Sequence, residues 1–297
     1  MIGKETALSR SRPLEPARAG QAGIPLARVA LVLRYAVLAL MAVMAVFPFY
    51  WMVVGSFVPL GDLFSVPPPI VPRHPTVSNY IELFQRIPFA RNALNSLIIS
   101  VLAGGLGILL ATLAGFAFAK YRFPGRDVLF AGMIATLVLP EEALVVPLFV
   151  LMSQIGWVDT YQGAVIPSLA SAFGIFWMRQ YMASIPDEML EAARIDGASD
   201  LQIYYRIVLP VLGPGLAALA MILFMRAWNM FLWPLIVLRS EDMYTIPLSL
   251  ARLVGVTEHP YNLVLAGSVL ATLPLVIVFV LLQRQFIAGV MAGSVKS

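Results

Sequence analysis

The sequence predicts an all-α integral membrane protein with six transmembrane helices. Three observations carry this. Of 297 residues, 60% are hydrophobic and 12% charged, and mean hydropathy is +0.86, a profile of polytopic membrane chains. A hydrocarbon core of ~30 Å needs about 20 apolar residues per helix, and six stretches of that kind occur. The basic residues divide unevenly between the two sides these stretches define. With both termini in the cytoplasm, fourteen of the 20 lysines and arginines lie inside, five (Arg73, Arg86, Arg91, Arg239, Arg252) lie outside, and Arg226 falls within a span. The positive-inside rule selects that orientation.

Composition also excludes several function classes. There is no cysteine, so no disulfide framework and no thiolate or Cys-metal chemistry. His74 and His259 both fall in polar loops and read as surface residues. The net charge of +4 follows from the topology and is no nucleic-acid footprint.

The elements follow in chain order. Residues 1–28, rich in Arg, Pro, Gly and Ala, have little to bury and read as a disordered cytoplasmic tail. This polar lead and the long apolar run after it do not fit a cleaved signal peptide. The first span covers residues 29–57. Residues 58–91 form an extracytoplasmic loop containing Pro67-Pro68-Pro69, expected to be exposed and to end in a short surface helix near residues 79–86. The remaining five spans occupy residues 92–283.

The second span, residues 93–119, carries a small residue at every fourth position: Ala103, Gly107, Ala111, Gly115 and Ala119. That spacing lets another helix approach backbone to backbone. The third, residues 128–155, contains Pro140 and Pro147, expected to interrupt it. The fourth covers residues 161–183, the fifth 215–238 and the sixth 263–282. Residues 284–297 form a cytoplasmic tail.

Between the fourth and fifth spans lies a polar loop, residues 184–210. Ser184 with Asp187, and Ser199 with Gln202, read as capping boxes opening two helices. Gly197 supplies the left-handed residue that ends the first, and Pro210 marks the bend into the next span.

The spans contain few charges. Glu141 and Glu142 lie ~21 Å beyond Asp127, and Arg226 ~20 Å beyond Gly213, at 1.5 Å per residue. Both spans rise from the cytoplasmic side, so these charges reach similar depth. An ionisable group there is expensive unless paired or wetted. A structural Glu–Arg pair, a wet pore lining and a proton relay are all consistent with this. Trp228 and Asn229 follow Arg226; an aromatic face and an amide suit a sugar ring and its hydroxyls, so Glu141, Glu142, Arg226, Trp228 and Asn229 are the candidate pathway residues.

One segment is more specific than all of these. Residues 191–210 read E-A-A, three residues, Gly, nine residues, I-x-L-P. Glu191, Ala192, Ala193, Gly197, Ile207, Leu209 and Pro210 fill every slot of the signature loop of ABC-importer permeases, which the segment resembles. From about residue 67 onward, WNMFLWPL (228–235) and the tail QRQFIAGVMAGSVK (283–296) resemble the carbohydrate-uptake branch, to which the maltose and glycerol-3-phosphate systems belong. The resemblance implies a type I (MetI-like) permease subunit in a bacterial or archaeal cytoplasmic membrane. It further implies a homologous second permease, an ATPase dimer coupled through the 191–210 loop, and an extracytoplasmic solute-binding protein. In that family a tail like residues 284–297 can reach into the ATPase dimer. The chain itself has no G-x-x-x-x-G-K-[ST] phosphate loop, so it is expected to bind no cofactor, and ATP with Mg²⁺ belongs on the partner ATPase.

The alternative from another class is a proton-coupled secondary transporter using Glu141 or Glu142, which leaves the 191–210 pattern unexplained. A membrane enzyme would need a polar catalytic cluster at a span end, and no His, Cys or Asp grouping supplies one.

Overall fold

The computed structural model describes residues 26–67, 70–255 and 259–294, and all regular structure among them is helical. Most of the expected 1–28 tail, and residues 295–297, lie outside the described residues. The chain divides into two compact units, Met1–Tyr50 and Trp51–Ser297. In the first, the described part is the body of helix α1 (Leu26–Ser56). Beyond Arg28 and Arg34 near its start it is apolar on every face, as suits a helix that crosses lipid.

The second unit holds the remaining elements. Helix α2 (Ser78–Arg86) ends the proline-rich segment where the sequence suggested a short surface helix, with one face turned inward. Its Asn79 and Leu83 are buried. Asn79 Nδ2 donates to the carbonyls of Ser56 and Val58, both at 2.9 Å. Carbonyls at a helix end have no intrahelical partner, and the Asn79 amide supplies one. Asn262 Nδ2 in turn donates to Asn79 Oδ1 at 2.8 Å.

Helix α3 (Phe89–Lys120) is the axis of the packing, lying against α6 (Ala172–Ala183) and α9 (Gly213–Trp228). The small-residue stripe makes this possible. A Cβ on Gly115 would stand 2.8 Å from Met178 Cβ and 3.0 Å from the Arg179 backbone nitrogen. Helix α10 (Tyr261–Ser294) packs on α9. It runs on through Gln283–Ser294, so most of the expected cytoplasmic tail continues the sixth helix.

Two expected spans are not continuous. The third is α4 (Arg126–Ala135), a 3₁₀ turn, and α5 (Glu141–Gln154), with a bend of 102° between the two helical parts. The break falls at Pro140, whereas Pro147 is absorbed inside α5. The fourth is a five-residue helix, Tyr161–Val165, then a 3₁₀ turn holding Pro167, then α6 of 12 residues. Ser171 caps α6 by accepting from the Gly174 N–H at 3.0 Å. Among the described residues, four helices are long and apolar enough to cross a membrane, or five if the bent pair counts as one. The expected span not among these is the fourth, broken at Pro167 and Ser171.

Candidate functional site: a cytoplasmic-type loop and a charged break between helices

The 184–210 segment folds as a helix–turn–helix. Helix α7 (Asp187–Ile195) ends in Gly197 with φ +84°. The Gly197 N–H bonds Arg194 O at 3.0 Å and the Ala198 N–H bonds Ala193 O at 2.9 Å, the paired pattern of a Schellman motif. The Ser199–Gln202 capping box forms and opens α8 (Asp200–Ile203). The Ser184–Asp187 box does not form. Pro186 is the N-cap of α7 with no side-chain bond, and Ser184 Oγ instead donates back to Tyr181 O at 2.7 Å. Asp187 is held elsewhere, 2.6 Å from Lys120 Nζ at the end of α3. The hydrogen bond from Lys120, reinforced by its charge, holds the Asp187 carboxyl below the usual carboxylate range.

After α8 the chain widens into a π turn, Tyr204–Val208. Pro210 explains this. It has no N–H to give, and its ring would crowd the carbonyl four residues back, so the ladder shifts and the Leu209 N–H reaches Tyr204 O.

The loop has two faces. Leu190, Ile203, Tyr204, Val208 and Leu212 are buried with Phe116, Met178 and Met182. The opposite face is open: Glu191, Ala192, Gly197 and Pro210 are exposed, while Ala193, Ile207 and Leu209 are half-buried. Ile195 stands 86% exposed beside them. A large apolar side chain at a loop tip, beside small residues and a free carboxylate, is the composition of a docking surface.

The second candidate region lies at the break between α4 and α5. Glu141 and Glu142 form the first turn of α5, where carboxylates favour the positive end of the helix dipole. Glu141 Oε1 makes an ion pair with Arg226 Nη2 on α9; the two side chains are 72% and 53% exposed. The two spans therefore do bring these charges together. Glu142 is exposed and has no ion pair among the described residues. Asn229 is also exposed and donates from Nδ2 to Met225 O at 2.8 Å. Arg226 and Asn229, three apart, share one face of α9.

Trp228 is on the other face, so the expectation that it lines a pathway with Asn229 is corrected. It is buried, stacks on Phe224 with centroids 5.8 Å apart, and donates from Nε1 to Ala271 O at 3.0 Å. Helical residues two apart point about 200° from each other, so opening Arg226 to the outside closes Trp228 in. Trp233 is likewise buried, its Nε1 donating to Gly163 O at 2.9 Å.

Residues 105–291 match the family model described as "Binding-protein-dependent transport system inner membrane component". The chain belongs to this family. It is similar to the arabinooligosaccharide transport permease of Halalkalibacterium halodurans, 39% identical over 87% of this chain and 94% of the relative. It is also similar to the lactose transport permease of Rhizobium radiobacter, 37% identical over 89% of this chain and 96% of the relative. The sn-glycerol-3-phosphate transport permease of Agrobacterium fabrum is 34% identical over 89% of this chain and 96% of the relative. Among solved structures, a chain of a bacterial ABC transporter that imports the acidic polysaccharide alginate has the same fold: TM-score 0.80 and 23% identity, covering 90% of this chain and 100% of that one.

The protein is thus a membrane permease subunit of an ABC transport system, and the proton-coupled alternative finds no support. Sequence reading missed three residues of this permease that hold the loop in place: Lys120, Thr112 and Tyr204. Lys120 sat in view as the basic residue closing the second span. The other two gave no signal, because a Tyr in a loop and a Thr in a span are ordinary until the fold brings their hydroxyls together.

Proposed function

We propose that this permease forms half of the translocation pathway for a neutral polyhydroxyl solute, a sugar or related polyol, and that the 191–210 loop docks a separate ATPase. The observation that carries the docking is the two-faced loop. Glu191, Ala192, Gly197, Pro210 and Ile195 are open, while Leu190, Ile203 and Tyr204 anchor the loop in the core. The partners are a second homologous permease, an ATPase dimer holding ATP and Mg²⁺, and an extracytoplasmic solute-binding protein. Both termini and the loop are cytoplasmic. A solved alginate transporter, in complex with its alginate-bound periplasmic protein, carries a related fold at TM-score 0.54. In operation the loaded binding protein docks outside, ATP closes the ATPase dimer, and the loop carries that rigid-body motion to the helices.

The solute class follows from charge. Glu141 and Glu142 outnumber Arg226, so the open region is net acidic. Carboxylates accept hydrogen bonds from hydroxyls and repel anions. The arabinooligosaccharide and lactose relatives are named for neutral sugars, whereas the sn-glycerol-3-phosphate relative is named for an anion.

Gly197→Asp tests the docking. The side chain meets no steric obstacle there, but a φ of +84° strains any Cβ, by roughly 1–2 kcal/mol. The variant should still insert while losing co-purifying ATPase and solute-stimulated ATP hydrolysis. Wild-type levels of both would overturn the proposal.

A further inference from the structure

We propose that Tyr204 and Thr112 are positioning residues that fasten the cytoplasmic loop to the second membrane helix, α3, so that loop and helix move as one body. The inference rests on the coupling role proposed above and adds to it residues outside the signature pattern.

The two are 92 positions apart in sequence, yet their hydroxyl oxygens lie 2.7 Å apart. Both are buried, Tyr204 2% and Thr112 1% exposed. The donor can be assigned. Thr112 Oγ1 lies 2.9 Å from Ile108 O and 3.0 Å from Leu109 O, so its single hydrogen serves the backbone of α3. Tyr204 O–H must then donate to Thr112 Oγ1. The result is a relay from the loop, through two hydroxyls, to a main-chain carbonyl inside a membrane helix.

Its surroundings give the relay meaning. Tyr204 lies in an apolar cluster with Ile203, Val208, Met178 and Met182, its ring centroid 5.6 Å from that of Phe116. Apolar burial holds the loop against the core without direction, and such contacts can slide. A hydrogen bond fixes distance and angle, and more firmly away from water. A phenylalanine would fill the same space, so the hydroxyl adds register, not volume. Tyr204 is also the first residue of the π turn, a feature that concentrates at functional positions. Lys120 grips the loop's other end through Asp187 and Ile185 O. It sits eight residues, ~12 Å, along α3 from Thr112, so the loop is held at two levels of one helix. One attachment would allow pivoting; two transmit a rotation.

The test uses the complete transporter with its ATPase and binding protein in nanodiscs. Because the chain has no cysteine, spin labels can be placed by Glu188→Cys on the loop and Val101→Cys on α3, both exposed positions. The distance distribution is compared between the nucleotide-free and ADP·vanadate-trapped states. In the parent protein it should be the same in both states. In Tyr204→Phe, which keeps the ring, the ATPase should still co-purify while the distribution differs between states. The double variant Tyr204→Phe/Thr112→Val leaves no orphaned hydroxyl and should behave as Tyr204→Phe does, which a packing role alone would not produce. A parent distance that changes with state, a Tyr204→Phe distribution independent of state, or a Tyr204→Phe protein that fails to assemble would each overturn the proposal. Gly197→Asp serves as the separate control. If it too leaves the ATPase docked and stimulated, the docking reading itself has failed.

Discussion

Lys120 reaches from the last turn of the second membrane helix to Asp187, its Nζ 2.6 Å from the carboxylate Oδ1 of the first residue of α7. The lysine side chain is 4% exposed and the aspartate 74%, so a buried cation is satisfied by an anion open to water. The same ammonium donates to Ile185 O. The contact closes a joint between the helix and the loop on which coupling is proposed to depend.

That joint predicts an acid sensitivity. The Asp187 carboxyl is lowered from its ordinary value by the Lys120 hydrogen bond and charge. A group whose folded pKa is depressed contributes stability above its unfolded pKa, near 3.9, and loses that contribution as pH falls through the lower folded value. Thermal unfolding of the detergent-solubilised protein should show Asp187→Asn less stable than the parent at pH 7. The difference should shrink as pH falls below the ordinary carboxylate range. A difference of equal size at pH 7 and in strong acid would refute the assignment.

Gly115 lies where α3 and α6 touch. A Cβ there meets Met178 Cβ at 2.8 Å and the Arg179 backbone nitrogen at 3.0 Å, and backbone cannot swing aside as a side-chain tip can. Gly115→Val should destabilise by roughly 1–3 kcal/mol, the range for overpacking. A Cβ at Gly105 on the same helix meets nothing beyond it within 4 Å, so Gly105→Val should change the melting temperature little. The comparison is of melting temperatures in one detergent.

Arg226 pairs with Glu141, yet both side chains are more than half exposed in this chain. Arg226→Ala should therefore shift stability only slightly while uptake by the assembled transporter falls about tenfold or more. Glu142→Gln should leave folding intact and relax rejection of anionic solutes, measured as inhibition of uptake by uronate oligosaccharides. A sharp loss of stability in Arg226→Ala with normal residual uptake would make the pair purely structural.

Orientation is testable on the same cysteine-free chain. Ser199→Cys should be protected from an impermeant thiol reagent in intact cells, and His74→Cys should be labelled. Labelling of position 199 from outside would reverse the topology and remove the loop from the ATP side.

The local rules read well from sequence where the cause was itself local. Gly197 ends its helix in the left-handed region, and Ser199 with Gln202 forms its capping box, because these motifs are completed within a few residues. The small-residue stripe of the second helix also behaves as read: Gly115 admits the α6 backbone. The meeting of Glu141 and Arg226 was within reach because chain segments of similar length, 127–141 and 213–226, lead to the two charges, although the first is broken at Pro140.

Sequence by itself thus determined the class, the family and the helix–turn–helix form of the 191–210 loop, since hydropathy, charge asymmetry and a fixed motif all survive without knowledge of packing. Tertiary structure decided what each ambiguous polar group does. Ser184 and Asp187 satisfied the spacing of a cap, but a buried Lys120 was the stronger partner for the carboxylate. Asn79 lies on the expected surface helix, but its amide turns inward to the open carbonyls at the end of α1. Trp228 fitted a sugar-binding pathway by composition, and the rotation of α9 placed it in the core instead. In each case several partners were chemically acceptable. The choice among them depended on which groups the fold had already removed from water, a fact that no window of sequence contains.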